Sequence, residues 1–593
     1  MKPVGSSYFT HQRKQSNNST LHNPNLLHHN KTHSPITSSF PSSTTSSKLR
    51  GIQINISSDP FQHRIPTYVQ RGKQYQDWKH DHKVNSNQID LLENVYPLSG
   101  KGFTTLIIMV PSFLYSVPTS LHHHTNNNNN NNDDNGNYQQ QNNNNKNNKV
   151  IDIVSSLCEY DIFKHVMIWK NDDNDQELEQ FNLSLEEIEK LTGCPIERMS
   201  LHHITPNTKG IARYTACSMA TTPYCYFQDI SYPHRHLRSL YANFLQSPHL
   251  IHGESIDALH YVNSQWSWCL WNEDYQLHAC HNTPGSGMFL SKEMASAFIN
   301  LMEVNPLDPT YADMYFSIWY NQPTYLLQGS PSSSSSITSD RMSTELLQYN
   351  VELTNEEVAH LQKAAVILFN NLRSQNGVFT ETQDSPKIYT ERNARSPCFN
   401  DRCLFLTNLN SLPTMDLFDY HPEYDVQQFI KLHDDYYNGE RFQQYAYSYA
   451  VDDQDATFWL SDKVIQKGDY IGLDLLMPMP IILKYRILVD HPYSFRKAIQ
   501  LQISYDGSTW IELPLEMKCI PTMGLKEKKK KRLLDCQFII SVTGYRFIRL
   551  NVLRDLDYRF MVHDFSVDAK VRLDVNGQPL DIGLDNSVDI LEN

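Results

Sequence analysis

The twenty residues "GIARYTACSMATTPYCYFQD", Gly210–Asp229, decide the fold class of the first half of the chain. The first part of this stretch reads as a helix, and "YCYFQD" is a short apolar run that predicts a buried strand. The strand ends on a carboxylate, Asp229. In open α/β sheets the carboxyl ends of central strands border the crevice that holds nucleotides and metals. Asp229 is therefore the first candidate functional residue, although the next four residues add no second carboxylate.

The segments around this stretch repeat the alternation of strand and helix. Two apolar runs predict strands, namely "FTTLIIMV" (Phe103–Val110) and "FKHVMIWKND" (Phe163–Asp172). Three stretches predict helices: "VIDIVSSLCEY", "SLEEIEKLTG" with Ser184 as N-cap and Gly193 as stop, and "TNEEVAHLQKAAVILFNNLRSQ" capped by Thr354. Such alternation indicates a largely parallel sheet with helices on both faces. Residues 96–380 are thus predicted to form an α/β, Rossmann-like domain.

The pattern of apolar residues in the sequence changes near Gln444. Short β runs bounded by turns follow, among them "DYIGLDLL", "IILKYRILVD", "LQISYDGSTWIEL" and "GYRFIRLNV". Runs of this kind with almost no helical pattern predict an antiparallel all-β jelly-roll sandwich over residues 444–573. Residues 381–443 then form a connecting segment, and residues 574–593 form a tail.

Two segments are too polar to belong to a packed core. Residues 1–95 are rich in Ser, Asn and His and predict a disordered arm, because they cannot offset their ordering entropy by burial. Residues 122–149 are an asparagine-rich, low-complexity insertion that predicts a solvated loop. A mean hydropathy of -0.53 over the chain agrees with a partly disordered protein.

Charge and cysteine content limit the partners and the compartment. A formal net charge of -14 argues against nucleic-acid binding and makes membrane contact unexpected, because both need a basic face. The basic run Lys526–Arg532 reads as a solvated hairpin tip, with a phosphate or lipid patch as the alternative. Cys398 and Cys403 form either a loop disulfide or two thiols, so the redox compartment stays undecided. No signal peptide or membrane anchor is visible, which leaves the cytoplasm as the default.

The segment Phe103–Gln328 resembles the GT-A fold glycosyltransferases, particularly exostosin-like enzymes and related fungal sequences. The resemblance rests on the order of "FTTLIIMV", "VMIWKND", "GIARYTACSMATTPYCYFQD", "HNTPGSGMFLSKE" and "YADMYFSIWYNQ". It implies a hexosyl- or N-acetylhexosaminyltransferase that uses a nucleotide sugar, with a UDP-sugar expected. The acceptor would be a glycan or a glycoprotein.

The same resemblance implies roles for particular residues. Asp229 takes the place of a DxD-like motif that holds a divalent cation, Mn or Mg, but Ile230 and Ser231 stand where the fuller motif supplies another carboxylate. Asp313 would be the catalytic group that faces the acceptor hydroxyl. The donor would lie against Arg213, Tyr214, Gly285 and Gly287, and the acceptor against Trp266, Trp268, Trp271 and His281. The residues alone leave alternatives open: a structural carboxylate at Asp229, a surface ion pair at Arg213, core tryptophans, and a helix-dipole role for Asp313.

The sandwich resembles the discoidin, or coagulation-factor C-type, domain, a galactose-binding-like fold common among carbohydrate-binding modules. This resemblance implies carbohydrate binding and a structural calcium held by Asp452, Asp455 and Thr457, although an acidic turn without metal is equally compatible with the sequence. Two hypotheses follow for the whole chain. The first is an active glycosyltransferase with a carbohydrate-binding domain. The alternative is an inactive, transferase-like binding or adhesion protein, and "QDIS" in place of a richer acidic motif favours it.

Overall fold

The computed structural model of the protein describes residues 102–111, 135–160, 162–171, 183–204, 208–230, 236–245, 248–254, 269–280, 287–322, 324–327, 354–374, 393–399, 401, 403–409, 420–421, 425–428, 445–476, 483–505, 507, 509–523, 532–542, 544–570 and 591–592. The predicted N-terminal arm, residues 1–95, lies outside the described residues. So do the first part of the asparagine-rich tract and the basic run Lys526–Arg532 apart from its last residue.

The first half of the described chain is built on a mixed sheet of seven strands. In space their order is β3-β2-β1-β4-β8-β5-β9. Strands β1 to β4 pair in parallel, whereas β8 runs antiparallel to both β4 and β5. The strands are β1 (Thr104–Pro111), β2 (Phe163–Asn171), β3 (Met199–Ile204), β4 (Tyr224–Asp229), β5 (His252–Glu254), β8 (Met288–Ser291) and β9 (Tyr325–Leu327), and a separate hairpin is formed by β6 (Cys269–Asn272) and β7 (Leu277–Cys280).

Helices cover both faces of this sheet because its central strands are apolar on both sides. Ile107 of β1 and Phe227 of β4 belong to one hydrophobic cluster, whereas Leu106 and Tyr226 belong to another. Successive residues of a strand point to opposite faces, so a strand buried on both faces reads as a continuous apolar run. The helices are α1 (Asn135–Cys158), α2 (Leu185–Thr192), α3 (Ala212–Met219), α4 (Leu237–Phe244), α5 (Lys292–Val304), α6 (Ala312–Trp319) and α7 (Asn355–Ser374).

The predicted helix ends are confirmed at atomic detail. Ser184 closes a capping box with Glu187, whose backbone N–H donates to the serine hydroxyl over 3.3 Å. Gly193 ends α2 in the left-handed conformation at φ 74°, where a side chain is disfavoured. Thr354 accepts from the N–H of Glu357 over 3.2 Å at the start of α7. Local sequence signals alone therefore set these boundaries.

Two of the differences between the α/β part and the prediction have a clear physical reason. Helix α1 begins at Asn135, so residues 135–149 of the asparagine-rich tract are helical and not a loop. Its last turns are nucleated by burial of Val150, Val154 and Leu157, and an existing helix extends at one hydrogen bond per added residue even into a tract of low propensity. Strand β3 was not predicted, because its sequence "MSLHHI" lacks the apolar run of a central strand and it lies at the edge of the sheet.

The second half of the described chain is the predicted antiparallel sandwich. One sheet has the order β10-β11-β13-β19-β15-β16, and the other has the order β12-β20-β14-β18-β17 with β21 paired to β20. Inward residues of the two sheets share one hydrophobic cluster, as Ile487 and Ile548 illustrate. The strands are β10 (Ala394–Pro397), β11 (Leu404–Thr407), β12 (Trp459–Val464), β13 (Tyr470–Asp474), β14 (Leu483–Val489), β15 (Ile499–Ser504), β16 (Trp510–Leu513), β17 (Lys518–Met523), β18 (Arg532–Ile540), β19 (Phe547–Val552), β20 (Arg559–Lys570) and β21 (Leu591–Glu592).

The sandwich extends beyond the boundaries predicted from the sequence. Strands β10 and β11 lie within residues 381–443, which were predicted to be a connecting segment, and β11 pairs with β13. Strand β21 lies in the predicted tail. Four-residue and two-residue strands are too short to show alternation, so only pairing to longer strands reveals them. The sandwich therefore begins at Ala394 at the latest.

A loop of the sandwich makes one of its contacts with the α/β part. Asp401, between β10 and β11, accepts hydrogen bonds from the backbone N–H groups of Arg238 (2.7 Å) and Ser239 (2.9 Å) at the start of α4. The residue before α4, His236, supplies no side-chain cap of its own. Asp401 is thus the cap of a helix that lies 163 residues earlier in the sequence.

Disulfides tie several of these elements together. Cys158–Cys194 links α1 to the segment after α2, and Cys217–Cys225 links α3 to β4. Cys398–Cys403 closes the loop that carries Asp401, which decides between the two interpretations of this pair. Cys519–Cys536 joins β17 to β18, and Cys280 is disulfide-bonded as well. Within the part of the chain that the structure describes, no helix combines the length and the apolar character needed to cross a bilayer.

Candidate functional site

The strand order of the seven-stranded sheet reverses beside β4, the position where open α/β sheets have their ligand-binding crevice. Strands β1, β2 and β3 follow one another toward one edge, whereas β4 lies on the other side of β1. The strand order therefore reverses between β1 and β4, and ligands of open α/β sheets bind outside the carboxyl ends of strands at such a reversal. Asp229 is the last residue of β4 and lies in register with Met109 of β1. It stands at the mouth of the crevice.

Two turns bring further polar residues to this crevice. Helix α3 follows a 3-10 turn at Lys209–Ile211, and α6 follows a second one at Pro309–Tyr311. The turns pack closely because Gly210 has no side chain: a Cβ there would lie 2.9 Å from the carbonyl oxygen of Pro309. The first turns of α3 and α6, which carry Arg213 and Asp313, consequently lie side by side.

The structure brings together four of the residues singled out from the sequence. Arg213 Nη2 lies 3.2 Å from Asp229 Oδ2, and its Nε lies 3.5 Å from Asp313 Oδ1. The Tyr214 hydroxyl donates to Asp313 Oδ1 over 2.9 Å. The side chains of Arg213, Asp229 and Asp313 are 11%, 22% and 29% exposed. We call this group the Arg213 cluster: Arg213, Tyr214, Asp229 and Asp313.

Burial and charge shape the protonation of the Arg213 cluster. Burial raises the pKa of Asp313, and the neighbouring Asp229 raises it further, while Arg213 and the Tyr214 hydrogen bond act in the opposite direction. Burial also raises the pKa of Tyr214 well above its ordinary value, so the phenol stays a hydrogen-bond donor. Burial alone would lower the pKa of Arg213, but Asp229 and Asp313 more than reverse this and raise it. One guanidinium thus faces two carboxylates.

The cluster leaves hydrogen-bonding capacity unused. Arg213 Nη1 and Asp229 Oδ1 are buried and have no hydrogen-bond partner. A buried polar atom without a partner costs about 1–3 kcal/mol, so native proteins keep few of them outside functional sites. One donor and one acceptor of the cluster are therefore buried without a partner, and neither atom is exposed to solvent.

The described residues do not fit a divalent cation at Asp229. One oxygen of this carboxylate already contacts the Arg213 guanidinium, and a second cation at the same carboxylate would be repelled by it. Nowhere in the described part of the chain do three His, Cys, Asp or Glu side chains gather in a way that could hold a metal ion. Ser231 lies outside the described residues.

Of the remaining predicted donor and acceptor residues, Gly287 and Trp271 lie among the described residues. Gly287 has a φ of 114°, and a Cβ there would lie 2.4 Å from the Tyr226 hydroxyl, so the glycine is needed for packing as well as for the turn. The others lie outside the described residues and keep their status as predictions: Gly285, Trp266, Trp268 and His281.

Trp271 does not form the exposed acceptor platform expected from the sequence. Its side chain is only 6% exposed, and its ring lies against that of His278 with 4.2 Å between centroids. Both residues belong to the β6–β7 hairpin, whose residues are mostly buried, so the tryptophan is a core residue. Aromatic residues in short strands pack inward unless the strand has a solvated face.

The acidic turn at the start of the sandwich is closed by its own hydrogen bonds. Asp452 accepts from the Thr457 hydroxyl (2.8 Å) and from the N–H of Gln454 (3.1 Å). Asp455 forms an ion pair with Arg486 over 3.1 Å. These contacts are made by Asp452, Asp455 and Thr457, the proposed calcium ligands, themselves. Calcium here stays an untested prediction.

The sandwich contains a polar cluster centred on an arginine that sequence reasoning did not single out. Arg486 of β14 contacts Asp455 (3.1 Å), Asp535 (3.2 Å) and Asp564 (3.2 Å). The signal was present in the alternation of β14, "LKYRILV", which places Lys484 and Arg486 on one face. The partners on β18 and β20 are recognisable only once strand register is known.

Comparison with known proteins gives fold likenesses of low score. No protein-family model matches the sequence, and no curated protein matches it. Among solved structures, a chitosan-binding module of a Paenibacillus sp. IK-5 chitosanase/glucanase is 16% identical, with 21% of this chain and 85% of that chain covered and a TM-score of 0.15. A carbohydrate-binding module from a family 31 glycoside hydrolase of Clostridium perfringens is 15% identical, with 20% and 80% covered and a TM-score of 0.14.

A third similar structure is larger. It is S. aureus TarS, residues 1–349, with 12% identity, coverage of 47% of this chain and 76% of that chain, and a TM-score of 0.22. Identities and scores of this size say nothing about activity. The case for function accordingly rests on the Arg213 cluster.

Proposed function

We propose that the chain is a glycosyltransferase of the GT-A type, which moves a sugar from a nucleotide-diphosphate donor, a UDP-sugar, to a glycan or glycoprotein acceptor. The observation that carries this proposal is the position of the Arg213 cluster at the strand-order reversal between β1 and β4. There a buried guanidinium and two carboxylates meet with unpaired atoms. The resemblance of Phe103–Gln328 to GT-A enzymes agrees with this placement.

In this proposal Arg213 carries the positive charge that the donor diphosphate needs. Its Nη1 group is without a partner, and a guanidinium donates charged hydrogen bonds in a geometry that suits phosphate oxygens. Fixed charge aimed at a leaving group stabilises the transition state most in a buried site. The Oδ1 atom of Asp229 is open to accept a hydrogen bond from a donor hydroxyl. A divalent cation at Asp229 stays an untested prediction, and this proposal assigns the neutralising charge to Arg213.

Asp313 acts as the general base in this mechanism. It takes the proton of the acceptor hydroxyl, whose oxygen then forms a bond to the anomeric carbon while the bond from that carbon to UDP breaks. Its raised pKa makes the carboxylate a stronger base than an exposed aspartate, and the Tyr214 hydroxyl fixes its orientation over 2.9 Å. The side chain remains 29% exposed, which leaves access for the acceptor.

The sandwich is proposed to be a galactose-binding-like, discoidin-type domain that holds carbohydrate near the transferase site. Tethering raises the local concentration of acceptor chains without altering the catalytic groups. The disulfides found in both halves favour an oxidising compartment, such as the secretory pathway or the cell exterior, over the cytoplasm that the sequence alone left as the default.

A second candidate is a transferase-like binding protein without activity. The observation that favours it is the pairing of Arg213 with Asp229, because a closed ion pair at the donor site would have to open before a diphosphate could bind. The unpaired atoms of the same two residues favour the active protein.

Calorimetric titration of the full-length protein with UDP separates these candidates. We expect UDP to bind in EDTA as well as in manganese, and we expect Arg213→Gln to weaken binding about tenfold or more. Lys209→Gln is the matched control, since this exposed cation lies one turn away and pairs with Asp308. A protein that binds no UDP would overturn the proposal. Strict dependence on manganese would overturn only the role of Arg213 as the replacement for a metal.

Transfer from a panel of nucleotide sugars to glycan acceptors then tests activity itself. Binding of UDP without transfer to any acceptor would favour the inactive candidate. Transfer that Arg213→Gln abolishes and Lys209→Gln retains would support the mechanism.

A further inference from the structure

A cavity of about 320 Å³ lies in the sandwich between the Cys398–Cys403 loop and strands β14, β18 and β20. A water molecule takes up about 30 Å³ of liquid volume, so the cavity has room for about ten waters, enough space for a sugar ring. Its volume falls at the lower end of the range typical of small-ligand sites. The cavity lies outside the Arg213 cluster and uses none of its residues.

The floor of the cavity is a row of polar side chains across three neighbouring strands. Gln537 of β18, Arg486 of β14 and Ser566 of β20 lie directly opposite one another in the strand register. Residues opposite one another project from the same face of a sheet. All three line the cavity, which gives it a flat arrangement of donors and acceptors.

The charge balance of the cavity excludes acidic ligands. Arg486 is held by three carboxylates within 3.2 Å, so its charge is already compensated. Asp453 adds another carboxylate to the lining, and the one further cation among the lining residues is Lys484. Phosphate, sulfate or uronate groups would meet an excess of negative charge. No described cluster here holds a metal ion.

One buried carboxylate oxygen among the lining residues, on Asp564, lacks a hydrogen-bond partner. The Asp564 side chain is 1% exposed; its Oδ2 accepts from Arg486 Nη1 and from the Ser566 hydroxyl. Its Oδ1 has no hydrogen-bond partner. A hydroxyl or amine of a ligand would supply the missing donor, and an unpaired buried carboxylate oxygen is costly otherwise.

Apolar surface flanks these polar groups. Phe399, at the lip of the cavity, is 38% exposed, and Ile539, the next residue on the same face of β18 after Gln537, is 64% exposed. An aromatic face can receive the C–H side of a sugar ring, and Phe399 supplies such a face among the lining residues.

We infer that this cavity binds a hexose residue of a glycan without acidic groups, either a neutral sugar or an amino sugar. The inference rests on the proposed carbohydrate-binding role of the sandwich and adds the site, which the fold alone does not locate. Sugar hydroxyls would pair with Asp564 Oδ1 and Gln537, and the ring would lie against Phe399.

A glycan array probed with the full-length protein, followed by titration of the best-bound neutral and amino sugars, tests this inference. We expect Gln537→Ala and Phe399→Ala each to weaken binding about tenfold, because each removes one direct contact. For Asp564→Asn, which keeps the shape of the side chain, both the sugar affinity and the midpoint of thermal unfolding are measured. Glu512→Ala is the control, an exposed change on β16 of the opposite sheet.

The outcomes separate this inference from the proposed function. Binding confined to acidic glycans, or neutral-glycan binding that Gln537→Ala and Phe399→Ala leave unchanged, would overturn the cavity as the site while the sandwich could still be a carbohydrate-binding domain. Binding of no glycan at all would overturn both the cavity and the proposed role of the sandwich. In every case UDP titration of the same variants reports on the transferase site separately.

Discussion

Two arginine–aspartate pairs of this protein differ in how fully they are hydrogen-bonded. Arg546 and Asp474 in the sandwich make two parallel hydrogen bonds of 2.7 and 2.9 Å, and Asp474 also accepts from the N–H of Leu476. Their side chains are 6% and 2% exposed. Arg213 and Asp229 in the α/β part make one contact of 3.2 Å and leave Nη1 and Oδ1 without partners.

The difference separates a pair that supports the fold from one that is open to a ligand. A bidentate, fully hydrogen-bonded pair has no capacity left for another molecule. A pair with one long contact leaves two buried atoms unpaired, which costs free energy. A bound ligand would recover this free energy by supplying the missing hydrogen bonds. The two pairs thus differ in their unpaired polar atoms and not in residue type.

The largest predicted effect is on the free energy of unfolding, and it tests whether the two pairs differ in role. We expect Asp474→Ala to lower the free energy of unfolding by about 3–5 kcal/mol, because it leaves the Arg546 charge buried and unpaired. The matched change Asp229→Ala should cost less, because the pair makes one contact of 3.2 Å and Arg213 keeps Asp313 at 3.5 Å. Urea titration followed by tryptophan fluorescence measures both. Equal losses would show that the two pairs do not differ in role.

The next effect concerns turnover. Asp313→Asn keeps the size of the side chain and removes the base, so we expect kcat to fall about a hundredfold with donor affinity nearly unchanged. Asp274→Asn, an exposed change in the turn between β6 and β7, is the control. Loss of UDP affinity that accounts for the whole effect would assign Asp313 to donor binding instead.

A third test uses a buried ionisable group of the sandwich. His491 is 5% exposed among aromatic rings, and burial lowers its pKa to about 3. The unfolded chain takes up this proton near pH 6.5, so the stability due to neutral His491 is present above that pH and is lost as pH falls toward 3. Between pH 7 and pH 5 the loss is about 2 kcal/mol.

Two aspartates act in the opposite direction in part of the same range. Burial raises the pKa of Asp452 and Asp564 to about 6, so their contribution grows as pH falls from about 6 toward 4. The wild type and His491→Gln share both aspartates, and the difference between their urea midpoints at each pH isolates the histidine. A difference that does not change with pH would contradict the assignment.

The smallest effect tests the contact between the two halves of the molecule. Asp401→Ala removes two hydrogen bonds to the start of α4, and we expect a loss of about 1–2 kcal/mol, the upper part of the range for helix caps. Asp401→Asn retains an acceptor and should lose less. Thermal unfolding of the three proteins gives the order, and an alanine variant as stable as the wild type would contradict the capping role.

Features governed by local sequence could be predicted. The caps at Ser184 and Thr354 and the carboxylate of Asp229 at the end of β4 each depend on a few adjacent residues. Arg213 and Asp313 were named from the resemblance to GT-A enzymes, and their contact depends on two turns that pack against each other. Features that depend on distant partners could not be predicted.

Three examples show why distance defeats sequence reasoning. Strands β10 and β11 are four residues long and are recognisable only through pairing with β13. The burial of Trp271 depends on His278 in the next strand of its hairpin. The partners of Arg486 come from two other strands and a turn, so no single window of sequence contains them.

The cap supplied by Asp401 has a consequence for the order of events during synthesis. Helix α4 leaves the ribosome 163 residues before its cap does. At about 5–20 residues per second, this helix waits roughly 8–30 s with its first N–H groups uncapped. The α/β half therefore completes its native hydrogen bonding only after translation has passed into the sandwich. A nascent chain stalled before Asp401 should show α4 open to proteases, and one stalled well beyond the sandwich should not.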